Sequence, residues 1–270
     1  MAKCVAICNQ KGGVGKSTTA VNIGSYIALS GLRTLLVDLD PQGNATISCG
    51  VNRTQTMHTI YEVIVEGVPI EEAVVSSQLE LFDVIPSSLD LAGAEVKLSQ
   101  AQDRETVLKK LCGPLRDRYD VLLFDCPPSL GLLTVNALVA VNCAIIPVQC
   151  EYLALEGLTA LAHVIDLVKQ KLNPDLTIGG IVLTMTDFRV NLTKEVAQEV
   201  RQFFKELVFE TTIPRNVRLA ESPSFGKPIC LYDPTSPGAI AYQALSVEVT
   251  EKIGLRAASE TSHQAAQAQL

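Results

Sequence analysis

Gln10-Lys11-Gly12-Gly13-Val14-Gly15-Lys16-Ser17 follows the short apolar run Val5-Ala6-Ile7 and opens a segment of helical periodicity. That is the setting in which a glycine-rich loop can hold phosphate. The glycines let the backbone curl until its N–H groups converge on an anion at the positive end of the following helix. Lys16 then supplies a point charge for β- and γ-phosphate oxygens, and the Ser17 hydroxyl is placed for Mg²⁺. Gln10 stands where a Walker A loop ordinarily has its first glycine, and a second lysine, Lys11, precedes the glycines. The result is the deviant pattern K-G-G-x-G-K-[ST]. Its strand and helix context weighs against a purely structural glycine turn, so the chain is expected to bind a nucleoside triphosphate.

Outward from the loop, apolar strands alternate with helix-period segments. Strands are expected at Lys3 to Asn9, Arg33 to Leu39, Leu79 to Ile85, Val121 to Phe124, Ala144 to Val148, Ile178 to Met185 and Phe209 to Ile213. Val121 to Phe124 and Ala144 to Val148 are almost wholly apolar, as parallel strands covered on both faces must be. Helices are expected from the loop to about Ser30, where Ala20, Ile23, Gly24, Ile27 and Ala28 recur at helical spacing, and at Leu91 to Gln100, Arg104 to Leu111, Leu133 to Val141, Leu155 to Lys171, Lys194 to Leu207 and Gly238 to Lys252. The alternation specifies an α/β fold, a single-domain P-loop NTPase with a mostly parallel sheet flanked by helices on both faces. Ligands of such sheets sit outside the carboxyl ends of the strands. The domain is expected to span residues 1–255, and the Ala-, Gln- and Ser-rich residues 256–270 to be a disordered tail.

Two acidic motifs fall at such strand ends. In Leu35-Leu36-Val37-Asp38-Leu39-Asp40-Pro41-Gln42-Gly43-Asn44, a carboxylate beside the phosphate loop can position a water or hold the metal shell. Pro41 and Gly43 break the strand there, as a mobile switch requires; the alternative for Asp38 or Asp40 is a turn-forming role only. Val121-Leu122-Leu123-Phe124-Asp125-Cys126-Pro127-Pro128 reads as a Walker B strand, with Asp125 near Mg²⁺, through a water because Mg²⁺ dehydrates reluctantly.

Four separated stretches together resemble one family. They are Lys11 to Thr19, Asp38 to Thr46, Asp125-Cys126-Pro127-Pro128-Ser129-Leu130-Gly131, and Ile213-Pro214-Arg215-Asn216-Val217-Arg218-Leu219-Ala220-Glu221-Ser222-Pro223-Ser224, and they look like those of the ParA/Soj partition ATPases. The resemblance runs to about residue 253. It implies a slow ATPase that dimerises around ATP and Mg²⁺, binds double-stranded DNA without sequence preference, and is stimulated by a ParB-type centromere-binding partner. It implies that Lys11 reaches across the dimer to the partner's phosphates and that Lys16 and Ser17 bind phosphate and Mg²⁺ within a cradle of Gly12, Gly13, Val14, Gly15 and Thr18. Asp40 would orient the attacking water and share the metal shell with Ser17 and Asp125. Pro214 and Asn216 would lie against adenine. Arg189 matches the family's DNA-contacting arginine, with Arg218 a second candidate.

The residues offer their own check on DNA binding. Lys194, Gln198, Arg201 and Lys205 share one stripe of a helix whose apolar face is Val196, Val200, Phe203 and Leu207. A stripe of this kind is either a DNA surface or an ordinary solvated helix face.

The chain has 270 residues, 47% hydrophobic and 19% charged, and a net charge of −7, which argues against whole-surface attraction to nucleic acid and requires a local patch. No apolar run is long enough to span a bilayer and no cleavable signal pattern opens the chain, so a cytoplasmic, nucleoid-associated location is expected. The first strand begins at Lys3, which leaves no room for an N-terminal helix-turn-helix domain and makes operator-specific repression unexpected. Eight cysteines lack C-x-x-C spacing and are expected to be reduced, mostly buried thiols. Three other functions compete. A MinD-type ATPase positioned at a membrane needs a C-terminal amphipathic helix, which Ala257-Ala258-Ser259-Glu260-Thr261-Ser262-His263-Gln264 does not offer. A nitrogenase-iron-protein-like carrier needs a cluster-ligating cysteine where Pro127-Pro128-Ser129 stand. An ATP-gated regulatory scaffold would lack a catalytic carboxylate at Asp40.

Overall fold

Segments that are apolar on both faces form the interior of the sheet. The structure, a computed structural model, describes residues 2–53 and 56–255. Its strands are β1 (Lys3–Ile7), β2 (Thr34–Asp38), β3 (Val75–Ser76), β4 (Phe82–Ile85), β5 (Val121–Asp125), β6 (Cys143–Gln149) and β7 (Thr177–Thr184). They are ordered β3-β4-β2-β5-β1-β6-β7, and every pairing is parallel except β3 with β4. All five residues of β2 and of β5 are buried, which is why these strands read as unbroken apolar runs. The register sets Ile7 and Asp38 level with Asp125 on either side of β5. Three strand ends therefore open at one height, where the phosphate loop begins.

The helices are α1 (Lys16–Leu29), α2 (Asn44–Ser48), α3 (Ile60–Val65), α4 (Ala94–Ser99), α5 (Val107–Leu111), α6 (Leu132–Ala140), α7 (Ala154–Lys171), α8 (Asn191–Phe204), α9 (Val217–Glu221), α10 (Ile229–Tyr232) and α11 (Pro237–Lys252). One core lies between the sheet and α1, α10 and α11, around Ile23, Ile27, Phe82, Leu123 and Tyr242. The other lies under α3 to α8, around Leu122, Phe124, Ile146, Leu161 and Val200. At Gly24 a Cβ would fall 2.8 Å from the Phe82 ring and 2.9 Å from Leu123, so only glycine lets α1 approach the sheet this closely. A buried hydrogen bond of 3.1 Å between Thr19 Oγ1 and the Tyr242 hydroxyl then ties α1 to α11.

Several expected elements shift. Phe209 to Ile213 is not a strand: only isolated bridges form, between Ile181 and Val208 and between Thr186 and Pro214. Phe209 N and Ile213 N do donate to Ile181 O and Leu183 O of β7, but Thr211 N, which would complete the ladder between them, donates instead to the Glu248 carboxylate on α11 at 2.8 Å, as does the outward-facing Glu210 N at 2.9 Å. β4 begins at Phe82 rather than Leu79, because a turn at Leu81 (φ 63°) precedes it. α5 starts only at Val107, after a turn at Asp103 (φ 61°), and Leu89–Gly93 enters α4 as a 3₁₀ turn. α8 starts at Asn191 and ends at Phe204; Lys205, at φ 49°, has left the helix, which shortens the basic stripe to Lys194, Gln198 and Arg201. The eight cysteines are free thiols, all buried except half-buried Cys230. The tail expected at 256–270 lies outside the described residues.

Candidate nucleotide site

The phosphate loop is fixed at both ends by side chains. Asn9 donates from Nδ2 to Pro147 O at 2.7 Å and accepts from Lys11 N at 3.0 Å, while Thr184 Oγ1 donates to Val14 O at 2.9 Å. Between these anchors Gly13 (φ 74°) and Gly15 (φ 89°) take the left-handed turns that let the loop close. Gly12, Gly13, Gly15, Lys16, Ser17 and Thr18 line a cavity of about 340 Å³ together with Asp40 and Pro128. A second cavity of about 270 Å³ also touches Gly15, Thr18 and Met185, and is bounded by Pro214, Asn216, Leu219 and Tyr242. The first cavity is loop-lined and the more polar of the two, the second largely apolar, as triphosphate and base require. Asn216 there spends its Oδ1 on the start of α9, accepting from Arg218 N at 2.8 Å. A larger recess of about 650 Å³ opens at the opposite, amino ends of β1, β6 and β7 and contains none of the motif residues.

Lys16 is buried, and its Nζ donates to Lys11 O at 3.2 Å. Burial lowers its pKa, and the neighbouring Asp125 and Asp40 carboxylates oppose that. Asp125 is fully buried at the end of β5, and neither of its oxygens makes a hydrogen bond. Burial, and next the charge of Asp38, push its pKa well above the carboxylate range; the nearby Ser17 hydroxyl pulls it down by less. Asp40, also buried, reaches the phosphate cavity and accepts from Gln42 N at 2.9 Å. Asp38 does not reach it. Asp38 accepts from Asp40 N, Thr46 N and Thr46 Oγ1 at 3.1, 2.8 and 2.7 Å, and burial holds its pKa up at about 6 despite those bonds.

Buried carboxylate oxygens without partners call for a compensating cation. Beside a hydroxyl and a phosphate cavity, the donor set is all oxygen and suits Mg²⁺. Among the described residues no three His, Cys, Asp or Glu side chains form a self-sufficient metal cage. Ser17, Asp40 and Asp125 thus fit an ion whose remaining ligands come from phosphate and water.

Lys11 is the loop residue that departs from its own cavity. Its Nζ pairs with Glu151 Oε2 at 2.6 Å, both side chains about half exposed, beside a groove lined by Gln10, Tyr152 and Leu153. Nothing in the sequence marked Glu151, and Thr46 falls inside the Asp38 to Thr46 stretch without a role of its own being indicated there.

The candidate DNA residues fall in three places. Arg189, 91% exposed, lies at the carboxyl end of β7 near Lys194 and Arg215, and is paired with Asp187. Arg201 is half-buried: its Nη2 donates to Phe209 O and Glu210 O, both at 3.1 Å, so it holds the irregular segment after α8. Arg218 sits apart on α9 and pairs with Glu221 at 3.0 Å and Asp233 at 3.4 Å.

The family profile of an AAA domain matches residues 2–178. The chromosome partitioning protein ParA of Myxococcus xanthus is 51% identical over 252 residues, 93% of this chain and 89% of its own. The sporulation initiation inhibitor protein Soj of Bacillus subtilis is 50% identical over 249 residues, 92% of this chain and 98% of its own. The solved structure of cobyrinic acid a,c-diamide synthase from Mycobacterium smegmatis with bound ADP and magnesium superposes with a TM-score of 0.79 at 37% identity, covering 92% of this chain and 93% of that one.

Proposed function

This chain belongs to the ParA/Soj family of chromosome-partitioning proteins, P-loop ATPases, and on that premise we propose that it is an ATP-gated dimer that holds DNA non-specifically until hydrolysis, stimulated by a ParB-type partner, releases it. One observation carries the reading. The Lys16 ammonium, the Ser17 hydroxyl and the Asp40 carboxylate converge on one phosphate-sized cavity, with the buried Asp125 carboxylate behind them beside Ser17 and Lys16, while the second loop lysine points out of it.

The chain's own groups divide the chemistry. Loop amides and Lys16 bind the phosphates, Pro214 and Asn216 border the base, and Asp40 orients the attacking water. Ser17 and Asp125, with Asp40, hold Mg²⁺, which when bound neutralises charge on the β- and γ-phosphate oxygens. Lys11 acts on a second copy. Gly12 supports that role, because inside this chain a Cβ there would meet only Pro128, at 4.0 Å. Exposed Tyr152, Leu153, Val217 and Phe225 surround the same end of the sheet, apolar surface available for a two-fold contact.

The DNA surface is the β7 edge, with Arg189, Lys194 and Arg215. Charge distribution supports it: residues 56–96 contain eight carboxylates and no lysine or arginine, against a net charge of −7 for the whole chain. That segment builds α3, β3, β4 and α4 at the other edge of the sheet. The acidity is therefore concentrated away from α8, and a dimer would join two copies of a weak basic patch.

The test is binding of a non-specific duplex at low salt by the Asp40→Ala protein with ATP, with ADP and without nucleotide. Capture only with ATP is the expected result. Equal binding in all three states, or none with ATP bound, overturns the reading.

A further inference from the structure

Asp40 has no rigid element of its own: it lies just past β2, in a turn broken by Pro41 and Gly43. Its neighbours nevertheless hold that turn from both sides. On the inside, the fully buried Asp38 carboxylate accepts from Asp40 N (3.1 Å) with one oxygen and from Thr46 N (2.8 Å) and Thr46 Oγ1 (2.7 Å) with the other. The Thr46 hydroxyl in turn accepts from Ser87 N, just beyond β4, at 3.0 Å. Thr46 and Ser87 are fully buried as well. The hydroxyl thus bridges two elements, donating its one proton to the carboxylate and accepting from the next strand's exit. On the outside, Arg53 donates from Nη1 to Gln42 O at 2.8 Å and from Nη2 to Pro41 O at 3.2 Å. A Cβ at Gly43 (φ 67°) would fall 2.8 Å from that guanidinium, so this glycine is what lets Arg53 lie flat on the turn.

We propose that Asp38 and Thr46 are positioning residues for Asp40, with Arg53 as the outer half of the same bracket. Neither Asp38 nor Thr46 lines the phosphate cavity. They act through the backbone of residues 40–46, fixing where the Asp40 carboxylate meets the γ-phosphate end and giving the turn one arrangement to return to after phosphate leaves. The Ser87 bond extends the bracket to β4, so the turn is referenced to two strands rather than one. This inference rests on the reading of Asp40 as the residue that orients water.

The experiment measures steady-state ATP turnover and ATP affinity in Thr46→Val, Thr46→Ser, Arg53→Ala and Asp40→Ala. Valine preserves volume but removes the hydroxyl; serine restores it. Misplacement of a catalytic group costs up to about 100-fold, so Thr46→Val should lower kcat by about tenfold or more. Its ATP affinity should stay within about twofold of wild type, because the phosphate loop is untouched. Thr46→Ser should recover most of the rate, and Arg53→Ala, on the surface and with no core to disrupt, should lose a few-fold in kcat. Amides of residues 40 and 42–46 should exchange faster in Thr46→Val than in Thr46→Ser. If Asp40→Ala abolishes turnover while Thr46→Val and Arg53→Ala keep the wild-type kcat, the bracket is refuted and the role of Asp40 stands. If Asp40→Ala turns over normally, the underlying reading of Asp40 is what fails. A Thr46→Val protein that loses kcat, ATP affinity and melting temperature together, without recovery in Thr46→Ser, also refutes the bracket, since packing alone would then explain it.

Discussion

Lys11 Nζ lies 2.6 Å from Glu151 Oε2, so the second loop lysine is engaged within its own chain and turned away from its own phosphate cavity. Glu151 is itself oriented by Gln149, whose amide donates to the other carboxylate oxygen. For Lys11 to serve a second copy, this pair must open. Exposed pairs contribute at most about 1 kcal/mol, or about fivefold in an equilibrium. Two such pairs open per dimer, so Glu151→Gln should raise the ATP-dependent dimerisation constant by about two- to 25-fold, measured by sedimentation velocity across a concentration series. Unchanged or weakened dimerisation would remove Glu151 as a restraint on Lys11.

Gly12 separates folding from assembly. In this chain a Cβ there meets nothing nearer than Pro128 at 4.0 Å, an ordinary contact, and Gly12 is absent from the positive-φ glycines. Gly12→Val should fold with a melting temperature close to wild type and still bind ATP. Dimerisation should fail, because the branched side chain occupies the surface a second backbone must approach. A Gly12→Val protein that dimerises with ATP as wild type does would place the interface elsewhere.

Much of this site was legible because its chemistry is written in consecutive residues. The loop at 10–17 and the strand ends at Asp40 and Asp125 are short patterns with fixed consequences, and the apolar runs around them fix a parallel sheet. What escaped depends on contacts between distant segments. The Phe209 to Ile213 run has strand composition, yet Glu248 on α11 takes two of its amides. Arg201 falls on a basic stripe by periodicity, yet carbonyls of the following segment hold it. Thr46 pairs with Asp38, eight positions away, and with Ser87, forty-one positions away, and no local spacing announces either. The two cores on opposite faces of the sheet likewise need the tertiary crossing of α1 over Phe82, which Gly24 permits but does not signal.

Asp125 and Asp38 make the nucleotide-free protein sensitive to pH. Burial raises both pKa values, Asp38 to about 6 and Asp125 further from the ordinary carboxylate value of 3.8. The folded chain then retains protons that the unfolded chain has lost. Stability falls wherever the folded state binds the more protons, so the contribution of this pair is greatest below about pH 4 and declines as pH rises through 6 and beyond. Asp125→Asn carries no proton to lose. It should flatten the decline in urea midpoint between about pH 5 and 7, and it should abolish the Mg²⁺ dependence of ATP binding. If the urea midpoints of wild type and Asp125→Asn run parallel across that range, Asp125 is not the buried acid responsible. MgATP added to wild type should flatten the curve in the same way, since a divalent cation supplies the charge that the proton otherwise supplies.

Arg189 stands almost fully exposed among the candidate DNA contacts, yet it is already occupied. Asp187 accepts from its backbone N at 3.1 Å, from Nε at 2.8 Å and from Nη2 at 2.7 Å. The guanidinium holds that carboxyl down at about 2, so the pair stays ionised at any working pH and presents little net charge to a phosphate. Three nearby cations are thus worth fewer than three on DNA. Removing the acid should release one. Asp187→Asn is expected to bind a non-specific duplex more tightly in the ATP state, with the slope of log affinity against log salt steeper by about one per subunit. Arg189→Ala should weaken binding and make the slope shallower by about the same amount. Asp187→Asn combined with Arg189→Ala removes both charges of the pair and should bring affinity and slope back close to wild type, because Arg189→Ala alone leaves the Asp187 carboxylate unpaired against the phosphates. Because Asp187 titrates near 2, the difference between Asp187→Asn and wild type should not change between pH 6 and 8, conditions under which a histidine-controlled patch would change. Salt titration of the three proteins on one duplex decides the matter: coincident slopes would move the DNA surface off the β7 edge, whereas an ordered series would place Arg189 on it and Asp187 as the residue that limits it.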